Sequence, residues 1–442
     1  MANAGTKVDV RLDLGKTYQT IDGFGVNINS KYWTGERLLP ALDLLVNDLG
    51  ARLFRVDIWG KSNWIDPTGE LGPAALAPER LEAIYQGEIF QRGWAMMRYL
   101  NEQGIEPYLT ASGDVPGWML GPDGKTLQNY GAFCNMLVSL VEWARRKEGI
   151  RFSLFGPLNE TDIGSPEGPT VSPEDYRRVC EILAEKLAKK ELDDIRLVVA
   201  EQANFTPDYL DALVKSTKLR ERIAVFSMHD YLGFTEEQYR CIIDAVRLSP
   251  YADKPMWFGE FGDLEQSGEK EWYVAWAMVS RLLDHLAHGF SGSLAWDAFD
   301  NYHDHDEAWT IYGLLRTGLR VYTPKKRYYA LKHVYRCVLP GFVRIGANAD
   351  SGEVRVLAFA NPERTALTVV GMNLSSSRTY YLNIDSADIQ GALRAGKAAV
   401  YRTSEHENFV LVDRVPLRGP NYPFMGMEVC LPPDSIFTVT TI

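Results

Sequence analysis

The chain has 442 residues, of which 46% are hydrophobic, and its formal net charge is −11 at pH 7. This length allows a large buried core and suits two domains better than one. The acidity disfavours nucleic acid and anionic membrane surfaces as partners, and no apolar run reaches the roughly 18 residues that a membrane-spanning helix requires.

The N-terminal segment MANAGTKVDV lacks the basic start and apolar run of a signal peptide. A mature secreted enzyme given a start methionine would look the same, so secretion and a cytoplasmic location both stay open. Residues 7–14 then alternate between apolar and polar side chains, which predicts a β-strand ahead of the main domain.

From residue 20 to 336, short apolar runs alternate with amphipathic stretches. Two of these stretches carry helix start signals, Ser172 followed by Pro173, and Thr235 three residues before Gln238. Eight strands alternating with helices predict an α/β fold, a (β/α)8 TIM barrel. The predicted barrel strands are 22–28, 52–58, 105–111, 152–158, 195–200, 224–228, 255–261 and 290–296.

From residue 337 onward the helical spacing gives way to strict alternation, with Gly and Pro between the runs. This pattern predicts a C-terminal antiparallel β-sandwich, built from residues 337–442 together with 1–19. The predicted strands are 354–360, 367–374, 379–384, 408–413, 426–431 and 435–442.

The five cysteines are scattered and form no CxxC pair. We therefore predict buried free thiols rather than a disulfide framework.

Two glutamates stand at equivalent positions of two predicted strands. Glu160 ends FSLFGPLNE, and Glu260 ends KPMWFGE. A carboxylate is costly to bury, and working residues of a TIM barrel lie at the C-terminal ends of its strands. Paired carboxylates across a sugar bond are the usual catalysts of glycosidases. The alternative is that each is a rim carboxylate in a salt bridge.

These segments match a known group of enzymes. GPLNE (156–160) and WFGEF (257–261) resemble the acid/base and nucleophile segments of clan A retaining glycoside hydrolases. YQTIDGFG (18–25) and KRYYALKHVYRCVLPGFVRI (326–345) resemble the opening and the barrel exit of glycoside hydrolase family 30. The resemblance covers nearly the whole chain. It implies an oligo- or polysaccharide substrate and no cofactor.

The resemblance also implies catalytic roles. Glu160 would be the general acid/base and Glu260 the nucleophile that forms a glycosyl-enzyme intermediate. In retaining enzymes the two carboxyl groups lie about 5–5.5 Å apart. A pair this close raises one pKa, and we expect the raised pKa on Glu160, which must be protonated.

Four polar residues are predicted to support this pair. Arg55 lies in an apolar strand and needs a carboxylate partner, which the resemblance identifies as Glu260. Asn159 precedes the acid/base and has an amide for a sugar hydroxyl. His229 and Tyr231 end the sixth strand, and Tyr231 is expected to hydrogen-bond the nucleophile. A histidine satisfied within the core is the alternative for His229, and a structural ion pair elsewhere is the alternative for Arg55.

Aromatic and polar loop residues are predicted to shape the cleft. Trp296 ends the eighth strand and resembles the platform on which the reacting sugar stacks, with a core tryptophan as the alternative. Asp114 and Trp118 follow the third strand, and Trp59 follows the second. For these three, substrate contact and loop packing are equally consistent with the sequence.

His303 and His305 lie in DNYHDHDEAW (300–309) and suggest a metal site. Their spacing fits no zinc motif, so we assign no metal and expect polar contacts to sugar from this loop. Three alternatives stay open: a clan A enzyme with a different sugar, a glycan-binding protein of this fold, and a metal-dependent hydrolase. Family 30 enzymes act on β-xylan, β-1,6-glucan, β-1,6-galactan or glucosylceramide. Endo or exo action and the oligomeric state are not fixed by the sequence.

Overall fold

A computed structural model of the chain describes residues 6–29, 38–58, 64–264, 270–300, 311–317, 322–385, 393, 396–417 and 426–442. Within them, eight strands close into a barrel and a nine-stranded sheet packs beside it. None of the helices in these ranges has the length and apolar character to cross a bilayer.

The first strand, β1 (Thr6–Thr20), belongs to the side sheet, and the barrel strands follow it. All neighbouring barrel strands pair in parallel, and each predicted barrel run contains or overlaps one of them, which confirms the predicted barrel. In chain order they are β2 (Gly23–Asn29), β3 (Leu53–Asp57), β4 (Tyr108–Thr110), β5 (Leu154–Gly156), β6 (Arg196–Val199), β7 (Ile223–Asp230), β8 (Met256–Phe261) and β9 (Gly292–Ala295).

The helices cover the outside of the barrel, and the two predicted caps are confirmed. Ser172 accepts a hydrogen bond from the N–H of Asp175, and Thr235 forms a capping box with Gln238. The helices are α1 (Leu39–Asp43), α2 (Pro78–Tyr85), α3 (Glu88–Glu102), α4 (Tyr130–Arg146), α5 (Pro173–Lys189), α6 (Pro207–Leu213), α7 (Glu236–Arg247), α8 (Glu271–Ala287) and α9 (Lys326–Tyr335).

A two-stranded hairpin of β10 (Leu315–Thr317) and β11 (Tyr322–Pro324) separates the barrel from α9. The side-sheet strands that follow are β12 (Val343–Ala349), β13 (Val354–Ala360), β14 (Leu367–Asn373), β15 (Tyr380–Asp385), β16 (Lys397–Thr403), β17 (Val410–Pro416), β18 (Gly426–Leu431) and β19 (Ser435–Thr440).

The side sheet has the order β17-β16-β19-β14-β13-β12-β1-β15-β18. Every pairing in it is antiparallel except that of β1 with β15, which is parallel. The N-terminal strand thus lies in the same sheet as the C-terminal strands. The sequence analysis missed β12 and β16.

The middle of the side sheet is buried on both faces because it also packs against the barrel. Val356 and Ala358 point into the core of the sheet itself, whereas the alternating Leu357 and Phe359 belong to the main barrel core. His333 on α9 adds a polar link to this interface by contacting Thr403 and Thr438. Because the main barrel core includes residues of the side sheet, the domain limits at residues 20 and 336 stay predictions.

The cysteines are free, but only three are buried. Burial raises the pKa of Cys134 and Cys337 to about 12, so these thiols are unreactive. Cys241 and Cys430 are exposed, which corrects the prediction that all five are buried. Cys241 lies on the solvent face of α7, and Cys430 points outward from β18.

Candidate active site

Glu160 and Glu260 lie together at the C-terminal mouth of the barrel. Glu160 follows β5, Glu260 lies in β8, and their exposed fractions are only 8% and 4%. One carboxylate oxygen from each and one ring nitrogen of His229 all lie within 4.8 Å of one another. The two glutamates therefore form one buried acidic pair.

The backbone at Glu160 is held in an unusual conformation. Its φ of +43° lies in the left-handed region, which is rare for residues other than glycine, asparagine and aspartate. The N–H of Glu160 donates to the carbonyl of Glu201 at 2.8 Å, and its carbonyl accepts from the N–H groups of Ile163 and Gly164 at 3.1 Å each. Strained backbone of this kind clusters at functional sites.

Glu260 receives a hydrogen bond on each carboxylate oxygen. Arg55 Nη1 lies 2.6 Å from Oε1, and the Tyr231 hydroxyl donates to Oε2 at 2.5 Å. Burial raises the pKa of Glu260, and the charge of Glu160 adds to this, while His229 and Arg55 act in the opposite direction. The raised pKa that the sequence analysis expects on Glu160 stays a prediction.

His229 connects the two glutamates. Its Nδ1 lies 2.7 Å from Glu160 Oε1 and 3.5 Å from Glu260 Oε2. Burial opposes a charge on the ring, but Glu260, Glu160 and Glu201 together raise the pKa of His229 to about 10. A pKa of this size favours the positively charged form of the ring at neutral pH.

Arg55 is the centre of the polar network below the pair. Its Nη1 and Nη2 donate to the side-chain oxygens of Asn27 at 2.9 Å and Asn159 at 2.7 Å. Since the amide oxygen of Asn159 is used in this way, its NH2 group is the part suited to a sugar hydroxyl. Arg55 also forms an ion pair with Glu201 at 3.2 Å.

Glu201 is a site residue that the sequence analysis missed. It follows β6 and is fully buried, and its carboxylate accepts hydrogen bonds from Arg55, Tyr108 and Ser227. The sequence did contain a signal for Glu201. VVAE (198–201) is an apolar run that ends in a glutamate, like the segments that end in Glu160 and Glu260. Asn27 on β2 and Tyr108 on β4 had no such signal.

The glycine before Glu260 allows the backbone of β8 to approach Glu201. A Cβ atom at Gly259 would lie 2.2 Å from Glu201 Oε1 and 2.5 Å from Ser227 Oγ. We expect Gly259→Ala to lower the free energy of unfolding by about 1–3 kcal/mol. We also expect kcat to fall roughly a hundredfold, because the clash displaces the carboxylate of Glu260 in the same strand. Thermal unfolding and kcat measure both effects.

Gly352→Ala is the matched control, since the added Cβ meets no atom within 4 Å. A Gly259→Ala protein with wild-type kcat would show that the position of β8 tolerates this crowding.

The structure describes three of the predicted cleft residues, Trp296, Asp114 and Trp118. Trp296 follows β9 and is half-buried. Its backbone N–H donates to the carbonyl of Phe261 at 2.8 Å. Asp114 lines a small recess together with Asn159. The indole N–H of Trp118 donates to Asp66 at 3.1 Å, so a contact between the loops after β4 and β3 uses its polar atom. Substrate contact by these residues stays a prediction.

Three predicted residues fall outside the part of the chain that the structure describes. They are Trp59, His303 and His305.

Several solved structures with this fold are glycoside hydrolases, although their sequences are distant. A glycoside hydrolase family 30 subfamily 8 xylanase from Clostridium acetobutylicum matches with a TM-score of 0.72 at 14% identity, over 98% of this chain and 99% of that chain. An endo-β-1,6-glucanase matches with a TM-score of 0.71 at 16% identity, over 100% of this chain and 96% of that chain.

A family 51 α-L-arabinofuranosidase from Bifidobacterium longum also matches, with a TM-score of 0.66 at 14% identity, over 99% of this chain and 100% of that chain. A scan against protein-family models finds no match. The similarities confirm, at the level of the fold, the resemblance to family 30: a (β/α)8 barrel with a side β-domain. At such identities the fold does not fix the reaction.

Proposed function

We propose that this chain is a retaining glycoside hydrolase that cleaves a β-linked glycan through a covalent glycosyl-enzyme intermediate. The observation that carries this proposal is the approach of the Glu160 and Glu260 oxygens to within 4.8 Å. Inverting enzymes hold their carboxyl groups about 6.5–9.5 Å apart to admit a water molecule, whereas retaining enzymes hold them at about 5–5.5 Å.

In the first step, Glu260 attacks the anomeric carbon and the glycosidic bond breaks. Glu160 gives its proton to the departing oxygen, which leaves as an alcohol. The two hydrogen bonds from Arg55 and Tyr231 orient the Glu260 carboxylate and favour its ionised form, as the nucleophile requires.

In the second step, Glu160 acts as a base on a water molecule. The water oxygen bonds to the anomeric carbon, the Glu260 ester bond breaks, and the proton returns to Glu160. His229 contacts both carboxylates, so its positive charge offsets their mutual repulsion through the cycle. Two inversions leave the product with the configuration of the substrate.

The β-linkage is supported by the sequence motifs and by two of the fold neighbours, a xylanase and a β-1,6-glucanase. The arabinofuranosidase shares the fold and acts on a different sugar. We therefore propose β-xylan, β-1,6-glucan, β-1,6-galactan or glucosylceramide as the substrate type, and the α-arabinofuranoside as the competing choice.

The test is hydrolysis of nitrophenyl β-glucoside, β-xyloside, β-galactoside and α-L-arabinofuranoside, followed by β-linked polysaccharides. We expect one β-glycoside to be cleaved with a β-anomer as the first product by NMR, and EDTA to leave the rate unchanged. The Glu160→Ala/Glu260→Ala double variant is the control. Inversion of configuration would contradict the retaining mechanism.

Loss of activity with EDTA would favour the metal-dependent alternative. An inert protein that still binds glycans on an array would favour the glycan-binding alternative.

A further inference from the structure

Glu201 is fully buried and so cannot touch the substrate, yet it is contacted by three strands around the catalytic pair. Arg55 on β3 lies 3.2 Å from its Oε2, the Tyr108 hydroxyl on β4 donates to the same oxygen, and Ser227 on β7 donates to Oε1 at 3.1 Å. The side chain meets the β8 backbone at Gly259. Any effect of Glu201 on the reaction must therefore pass through its neighbours.

The ionic contacts around Glu201 join two cations and three carboxylates. Arg55 pairs with Glu201 and Glu260. The Nδ1 atom of His229 contacts Glu160 and Glu260, and its Nε2 atom lies 3.9 Å from Glu201. With all five groups ionised, the net charge of this buried cluster is −1. An uncompensated buried charge is unfavourable, so the cluster favours the uptake of one proton.

The cluster does not place this proton on Glu201. Burial alone would raise the pKa of Glu201, but Arg55, His229 and Tyr108 hold it at about 2. His229 is already protonated at neutral pH. Glu160 and Glu260, with one oxygen of each within 4.8 Å of the other, are the groups left to hold the proton.

We propose that Glu201 is a positioning residue. Its negative charge keeps one proton on the Glu160–Glu260 pair, and this is the proton that the leaving group takes. This inference rests on the proposed function of that pair. Without the charge of Glu201, the two cations would already balance the two glutamates. The titratable and charged groups around Glu201 and the glutamate pair are Arg55 and Asp57 from β3, Tyr108 from β4, His229 from β7, Tyr231 after β7, and Tyr176 from α5.

The test is the pH profile of kcat/KM in Glu201→Gln. Removing a negative charge lowers the pKa of every neighbouring group, so the cluster loses its proton at lower pH. We expect the alkaline limb to move down by about one pH unit or more, the usual effect of one nearby charge. A folded Glu201→Gln enzyme with the wild-type limb overturns the proposal.

Two controls separate charge from packing. Tyr108→Phe removes a hydrogen bond to the same carboxylate but leaves its charge, so its alkaline limb is expected to stay in place even if kcat falls. Glu201→Asp keeps the charge and is expected to restore the limb toward its wild-type position. A limb that moves as far in Tyr108→Phe as in Glu201→Gln would show a packing effect instead.

A second measurement needs neither activity nor a folded Glu201 variant. The chain has seven histidines, and ¹⁵N NMR of histidine-labelled protein reports the protonation of each ring, with His229→Asn giving the assignment. The proposal requires the ring of His229 to stay protonated at pH 8, and a neutral ring overturns it. An inert wild-type enzyme with a protonated His229 would instead contradict the proposed function and leave the charge arrangement intact.

Discussion

Replacing Glu260 with alanine is expected to lower kcat by roughly 10⁴-fold or more, the scale of loss when an enzyme loses its nucleophile. The alanine leaves no atom to bond with the anomeric carbon, and the space it opens lies beside Arg55 Nη1 and the Tyr231 hydroxyl. Steady-state hydrolysis of the best aryl glycoside measures the effect, and circular dichroism checks the fold.

Small anions give this variant a distinctive product. Azide fits the space left by the carboxylate and attacks the anomeric carbon once, so we expect a glycosyl azide of inverted configuration. Glu237→Ala is the matched control, because Glu237 is an exposed glutamate on α7 whose side chain is 81% accessible. A Glu260→Ala enzyme that keeps wild-type turnover would remove Glu260 from the nucleophile role.

The barrel was predictable because each strand is a short apolar run between turn signals, a pattern that depends on local sequence alone. The missed strands show where this signal fails. In β12 (VRIGANA), a glycine and small residues weaken the alternation, and β16 (KAAVYRT) carries two alanines in place of large apolar residues. Each of them also pairs with a strand that is not its neighbour in the chain, β12 with β1 and β16 with β19, and no local pattern reveals such a pairing.

The catalytic pair was predictable, but its surroundings were not. Glu160 and Glu260 were found because motifs singled them out, whereas Glu201 has the same strand-end position without a motif. Arg55 and Glu201 are 146 positions apart, and only closure of the barrel brings them together. A buried third carboxylate therefore needs the structure to reveal it.

The pKa shift of Glu260 was also beyond the sequence. The motifs imply repulsion between two close carboxylates, but the effect of burial on Glu260 depends on the walls around the site. Glu260 is enclosed by β3, β7 and β8, which raises its pKa even though Arg55 and His229 are near. A pair titrates as a unit, so its pH behaviour is best tested by removing one member.

Removal of Glu160 provides that test. We expect Glu160→Ala to cleave substrates with poor leaving groups about 10²–10⁴-fold more slowly, the usual contribution of general acid catalysis. Substrates with good leaving groups, such as dinitrophenyl glycosides, should keep most of their rate at the glycosylation step, since their departing oxygen needs no proton. The comparison of kcat/KM for the two classes measures this difference.

The pH profile of Glu160→Ala separates a lost acid from a disturbed site. A general acid works only when protonated, so wild-type activity falls as the pH rises through the pKa of the acid, and this basic limb should vanish in the variant. Any acidic limb should persist, because Glu260 must still ionise to attack. Glu160→Gln keeps the side-chain volume beside His229 and should behave in the same way. A bell-shaped profile in both variants would show that the proton comes from another residue.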